Sequence, residues 1–203
     1  MIVYVESNFV LELALGQEET ASAESILVLA EQDDIEVVYP SFALSEPFAT
    51  VTQRERERVR LSNSLKDTLR QLKRSEPHQR VVSDLQFVPA ALIDIGKKEF
   101  DLLQSTVKRL LNVGKSLEIN GASFEQALVY QLLFNLSPQD SIIYSAVIAD
   151  LLLKARSESK CFISRDKKAF IDPSIGYELS SYNCHYSTSF KEGLSFIQNI
   201  IMK

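Results

Sequence analysis

The sequence predicts an α/β fold built on a parallel sheet, and three observations carry that expectation. Short apolar runs rich in β-branched residues alternate with stretches of helical periodicity. The first two runs are separated by two helix-length segments, a connection that favours parallel strands with right-handed crossovers. Four acids, Glu6, Glu46, Asp140 and Asp166, stand where a predicted strand ends or a predicted helix begins, although as many as 94 residues separate neighbours. Open parallel sheets bind ligands beyond the carboxyl ends of their strands, and Glu6 and Asp166 lie just past such ends.

Taken in order, Ile2 to Val5 is the first strand, and Glu6-Ser7-Asn8 leads into a helix that carries Phe9, Val10, Leu13 and Leu15. Gly16 ends that helix. Thr20 or Ser22 caps a second one, whose Ile26, Leu27, Leu29 and Ala30 recur at helical spacing until Gln32-Asp33-Asp34. Ile35 to Tyr39 is the next strand. Pro40-Ser41 opens a third helix bearing Phe42, Leu44 and Phe48, with Pro47 setting its start near Ser45 or bending it there.

From Val51 to about Leu117 the pattern becomes long, charged helices without a strand, and Ser75-Glu76-Pro77 marks a turn in the middle. This predicts a helical hairpin inserted into a single domain of 203 residues. Gly121 precedes a helix from Ser123 to Leu136. Ser137-Pro138-Gln139-Asp140 then combines a capping serine, a proline at the first helical position and an acid at the third, and the helix it starts runs to about Ser157. Lys160 to Ser164 is a buried strand followed at once by Arg165-Asp166. Tyr182 to Tyr186 is the last strand and Phe190 to Ile201 the closing helix, with Phe190, Leu194, Ile197 and Ile201 directed to the core.

Composition narrows the function classes. The six glycines are scattered, with no phosphate-binding loop, Cys/His cluster or Gly-x-Ser-x-Gly elbow, which argues against kinase, zinc-protein and serine-hydrolase chemistry. The two cysteines and the absence of an N-terminal signal pattern point to a reduced, cytoplasmic setting. No apolar run reaches the roughly 18 residues a membrane span requires. The formal charge is −5, yet Gln53 to Arg80 holds nine basic and four acidic residues. Arg54, Arg58, Lys66, Arg70, Lys73 and Arg74 are thus candidate contacts for a phosphate backbone, while exposed ion pairing along a solvated helix accounts for the same alternation. The stretch lacks aromatic residues for base stacking.

Each acid also has a structural explanation. Asp140 at a helix start is stabilised by the helix dipole and free N–H groups, and Asp166 suits a turn after a strand. Asn8 reads equally as a cap or as a side chain orienting a carboxylate, and Ser164 as a strand-end hydroxyl or in the same orienting role. Asp150 falls about 80° short of three full turns from Asp140 and is expected as an exposed or ion-paired surface residue. Lys167 and Lys168 are candidate phosphate contacts or solvated surface lysines. His78 and His185 have no neighbouring Ser or Asp arrangement that suggests nucleophilic catalysis.

Together these residues resemble the PIN domain. The matching features are Val3-Tyr4-Val5-Glu6-Ser7-Asn8, Ser45-Glu46, Asp140-Ser141-Ile142-Ile143 and Ser164-Arg165-Asp166-Lys167-Lys168-Ala169-Phe170, in the family's order and strand context. The resemblance implies a three-layer α/β/α sandwich and a metal-dependent endoribonuclease. In it Glu6, Asp140 and Asp166 hold Mg²⁺ or Mn²⁺, and Glu46 is a further ligand or a water-orienting acid. Mutual repulsion within such a cluster calls for a divalent cation. RNA, an antitoxin-like protein and a second copy of the chain are the partners it implies. The family usually has Asp at the first position, so Glu6 also admits a domain with weakened turnover that binds RNA or protein as a regulatory module.

Overall fold

The computed structural model describes residues 1–166 and 169–202. Five parallel strands form one sheet in the order β3-β2-β1-β4-β5: β1 (Ile2–Val5), β2 (Glu36–Pro40), β3 (Lys115–Leu117), β4 (Lys160–Ile163) and β5 (Cys184–Ser187). The central strand pairs on both sides, with Tyr4 opposite Val38 and Phe162. Successive side chains of a strand point to opposite faces, and β1 therefore feeds two cores. Val3 and Val5 join one apolar cluster, and Ile2 and Tyr4 the other.

The first layer contains α1 (Ser7–Leu15), α2 (Thr20–Glu31), α5 (Val88–Val113) and α9 (Phe190–Ile201). Gly16 closes α1 at φ 59°, a left-handed conformation that glycine adopts without steric penalty. At Gly193 an added Cβ would lie 2.4 Å from Ile163 Cδ1, so the missing side chain lets α9 seat directly on β4. The other layer contains α6 (Gly121–Phe134), α7 (Pro138–Leu153) and α8 (Pro173–Ser181). The three-layer α/β/α expectation holds.

The hairpin is present as α3 (Ser45–Leu72) packed against α5, joined through a short 3-10 turn at Glu76–His78 and α4 (Gln79–Leu85). Pro47 falls in the first turn of α3, where its missing N–H has no helical partner to lose.

Several expectations need correction. The segment before Leu117 does contain a strand, β3, which is three residues long at the sheet edge and mostly exposed. Helix α8 lies between Phe170 and Tyr182, where the sequence reading assigns no element, and the closing strand begins at Cys184 rather than Tyr182. Helix α7 stops at Leu153, four residues before Ser157. Ile201 is partly exposed, so the core face of α9 consists of Phe190, Leu194 and Ile197. Asp150 is buried: it accepts the Tyr4 hydroxyl at 2.7 Å and pairs with Lys115 at 3.2 Å. The expected ion pair is present, and the expected surface location is not. Lys167 and Lys168 lie outside the described residues.

Candidate active site at the carboxyl edge of the sheet

The four acids come from four different elements. Glu6 follows β1 and caps α1, its Oε2 accepting the Asn8 N–H at 2.9 Å. Glu46 lies in the first turn of α3, and its Oε2 accepts the Gln139 side-chain amide at 2.7 Å. Asp140 lies in the first turn of α7, where the Ser137 hydroxyl donates to its Oδ2 and accepts its N–H. Asp166 follows β4; its N–H donates to Ser164 Oγ and its Oδ1 accepts the Ala169 N–H. Gln139 thus ties the α3 acid to the residue beside the α7 acid across 93 positions of sequence.

A common pattern emerges at three of these positions. One carboxylate oxygen of Glu6, Glu46 and Asp140 is fixed by a neighbour, and the other has no hydrogen-bond partner among the described residues. For Glu6 the unpaired Oε1 is fully buried. Burial is the main reason its pKa rises from 4.5 to about 7; the neighbouring Asn8 and Ser164 groups pull the other way, and the Glu46 charge adds to the rise. Burial likewise raises the pKa of Asp140; the Ser137 hydroxyl opposes the shift, and the Asp166 and Glu46 charges reinforce it. The acids therefore feel one another's charge. Among the described residues, however, no three Asp, Glu, His or Cys side chains are preset to hold one ion.

The expected orienting residues take specific places. Asn8 acts through its backbone N–H on Glu6, and Ser164 receives the N–H of Asp166. Three participants escaped the sequence reading. Gln139 carries no signal in the sequence beyond its place in a helix start. The Tyr186 hydroxyl is buried without a partner, and its pKa is raised first by burial and then by Glu6 and Asp166. It sits opposite Phe162 in the sheet register, so the rule that gathers strand ends at one edge was the available signal. Third, Glu12 on α1 is 1% exposed; it pairs with Arg165 and accepts the Glu19 N–H, thereby anchoring the segment between Ser164 and Asp166.

Of the expected phosphate contacts, Arg58 is tied to Glu99 and Arg70 to Asp67. Arg54, Lys66, Lys73 and Arg74 are exposed.

A parallel sheet between two helical layers, with acids following its strands and opening its helices at the carboxyl edge, defines the class as a three-layer α/β/α protein. The particular family follows from comparison: the PIN domain profile matches residues 3–170, and the chain belongs to that family. PIN domains are generally metal-dependent nucleases that typically use divalent metals, and many bind RNA. No curated protein and no solved structure gives a significant match. Among the described residues, no helix is long and apolar enough to cross a membrane.

Proposed function

We propose that the chain is a metal-dependent endoribonuclease whose centre is the carboxyl edge around Glu6. The observation that carries this reading is the buried, unpaired Oε1 of Glu6 beside Glu46, whose charge opposes its ionisation. An orphaned acceptor with a raised pKa is costly in an empty fold and becomes favourable once a cation neutralises it. The donor set is all oxygen, which suits Mg²⁺ or Mn²⁺.

Glu6, Asp140 and Asp166 would hold the ion, and Glu46, oriented by Gln139, would hold a water or a further ligand position. A bound divalent ion supplies acidified water and charge stabilisation at the scissile phosphate. The protein's own part is to exclude bulk water at Glu6, to fix one oxygen of each acid through Asn8, Gln139 and Ser137, and to brace the Asp166 segment through Arg165 and Glu12. Neither histidine is needed as a base.

A second reading, a PIN domain with weakened turnover that binds RNA or protein, is favoured by two observations. Glu6 stands where the family usually has Asp and already caps α1, and no three-acid cluster is preset among the described residues. Incubation of single-stranded RNA with Mn²⁺ separates the readings. Cleavage that disappears in Asp140→Asn and Asp166→Asn supports the enzyme. Absence both of cleavage and of a Mn²⁺-dependent thermal shift supports the module.

A further inference from the structure

We infer that the solvent face of the first half of α3 is a track for single-stranded RNA that leads away from the carboxyl edge; the inference deepens the nuclease reading and takes its substrate from it. Helix α3 has two distinct faces. Val51, Glu55, Arg58, Ser62, Leu65, Leu69 and Leu72 recur at alternating three- and four-residue steps and are buried or half-buried. This seam faces α5: Glu55 lies against Gly96, Arg58 pairs with Glu99, and the Ser62 hydroxyl donates to Pro89 O.

On the outer side, Phe48, Ala49, Thr52, Gln53, Arg56 and Arg60, with Glu57, line an open groove of about 580 Å³. The groove begins two residues after Glu46, whose carboxylate is held by the neighbour of Asp140. At 1.5 Å per residue, Arg60 lies about 21 Å farther along the helix axis. Along the helix axis the groove therefore begins within one turn of Glu46, with Phe48 about 160° around the helix from it, and extends outward from that end.

The lining identifies the occupant. Arg56 and Arg60 are exposed, about one turn apart, and in no ion pair among the described residues, whereas Arg58 is spent on Glu99. The acid in the groove, Glu57, accepts the Gln53 amide at 3.0 Å. Two open guanidiniums against one engaged carboxylate give a local cationic surface on a chain of net charge −5. Phe48, 37% exposed, adds an aromatic face at the end nearest the acids. Guanidiniums spaced along a groove receive phosphates, and a ring at one end receives an unstacked base. A duplex keeps its bases stacked and has no use for the ring, so the single strand fits better.

The test is fluorescence anisotropy of a short labelled single-stranded RNA in EDTA, where binding is read without cleavage. The full chain is compared with Arg56→Gln/Arg60→Gln, Phe48→Ala and, near the hairpin turn, Lys73→Gln/Arg74→Gln, each first checked for an unchanged thermal melt. Neutralising the two groove arginines should lower the slope of log K against log salt by about 1.4, at roughly 0.7 per phosphate contact on a single strand. Phe48→Ala should weaken binding on the order of ten-fold with the slope unchanged.

The track is overturned if Arg56→Gln/Arg60→Gln leaves affinity and slope intact, if Lys73→Gln/Arg74→Gln lowers them equally, or if duplex RNA binds as well as single strand. Binding of an acidic peptide by the wild type with no RNA binding also overturns it, in favour of a protein partner. A separate Mn²⁺ cleavage assay distinguishes the two failures. Cleavage with binding unaffected by the groove variants removes the track alone; groove-dependent binding without cleavage removes the nuclease reading alone.

Discussion

Replacing Glu6 with Gln should stabilise the metal-free protein, the reverse of what removal of a buried polar contact normally does. Folding moves the Glu6 carboxyl from 4.5 to about 7. The native state then binds more protons than the unfolded chain between these values, so unfolding free energy falls as pH rises through that window. The favourable contribution of the neutral carboxyl is fully present below about pH 4.5 and lost as pH passes about 7. At roughly 1.36 kcal/mol per pH unit of separation, ionisation costs about 3 kcal/mol at pH 8. Gln cannot ionise, and its amide oxygen can still accept the Asn8 N–H. Allowing about 1 kcal/mol for an imperfectly paired amide N–H₂ leaves a net gain of about 2 kcal/mol, or roughly 4–8 °C in Tm for a domain of this size. In thermal melts in EDTA from pH 4 to 8, the variant should lie below the wild type near pH 4, where only the roughly 1 kcal/mol amide penalty acts, cross it at about pH 5, and lie above it by pH 8. With millimolar Mn²⁺ at pH 8 the order should narrow or reverse, because only the wild type gains a ligand. A variant that melts at or below the wild type in EDTA at pH 8 would refute the reasoning.

Three further outcomes follow from packing and charge. Asp150→Ala removes the buried acceptor of the Tyr4 hydroxyl and should cost about 2–3 kcal/mol in urea unfolding; a change under 0.5 kcal/mol would contradict that role. Arg58→Ala leaves Glu99, whose side chain is 14% exposed, without its cation, and should destabilise by about 1–3 kcal/mol. RNA affinity should stay the same, as binding titrations alongside denaturation can show. Glu12→Gln loosens Arg165 and with it the Asp166 segment; Mn²⁺ affinity from calorimetry should drop about ten-fold, and unaltered affinity would assign the Glu12 ion pair to stability alone.

The parts of this fold legible in the sequence are those set by local chemistry. β1 and β2 show as β-branched runs, and the Ser137-Pro138 start of α7 follows from capping rules. The acids were located by the same logic, since a strand end or helix start fixes which edge a side chain occupies. Helix α8 also carried a local signal, Asp172-Pro173-Ser174, in which the Asp172 side chain accepts the Ser174 N–H, but only Ile175 and Leu179 are buried in its nine residues. β3 is too short to display a period of two. Asp150 could not be placed because its partner Tyr4 is 146 residues away and because α7 is buried nearly all round from Ser141 to Ile148, so a helical wheel finds no solvent side. Phe48 joined the arginine groove only when α3 proved continuous from Ser45, which aligned it with Arg56 and Arg60.

Glu6 carries two duties that compete for one side chain, and Glu6→Asp measures their balance. As a cap, the carboxylate reaches back to the Asn8 N–H through Oε2; as a candidate ligand it must present Oε1 to the edge shared with Glu46, Asp140 and Asp166. Asp is a favoured N-cap, so the shorter side chain should keep the helix start within about 1 kcal/mol. What changes is the reach, by one C–C bond of about 1.5 Å. Mg²⁺ and its near-octahedral distances of about 2.0–2.1 Å do not absorb such a shift by stretching. If the surrounding acids are placed for Glu, Asp withdraws the ligand and Mn²⁺-dependent cleavage should fall at least ten-fold with Tm nearly unchanged. If the site has drifted from an arrangement built for Asp, the same substitution should restore or create cleavage, and the natural chain is then the module. Equal cleavage by both proteins would mean that position 6 does not touch the ion, and the buried Oε1 would need an explanation other than metal binding.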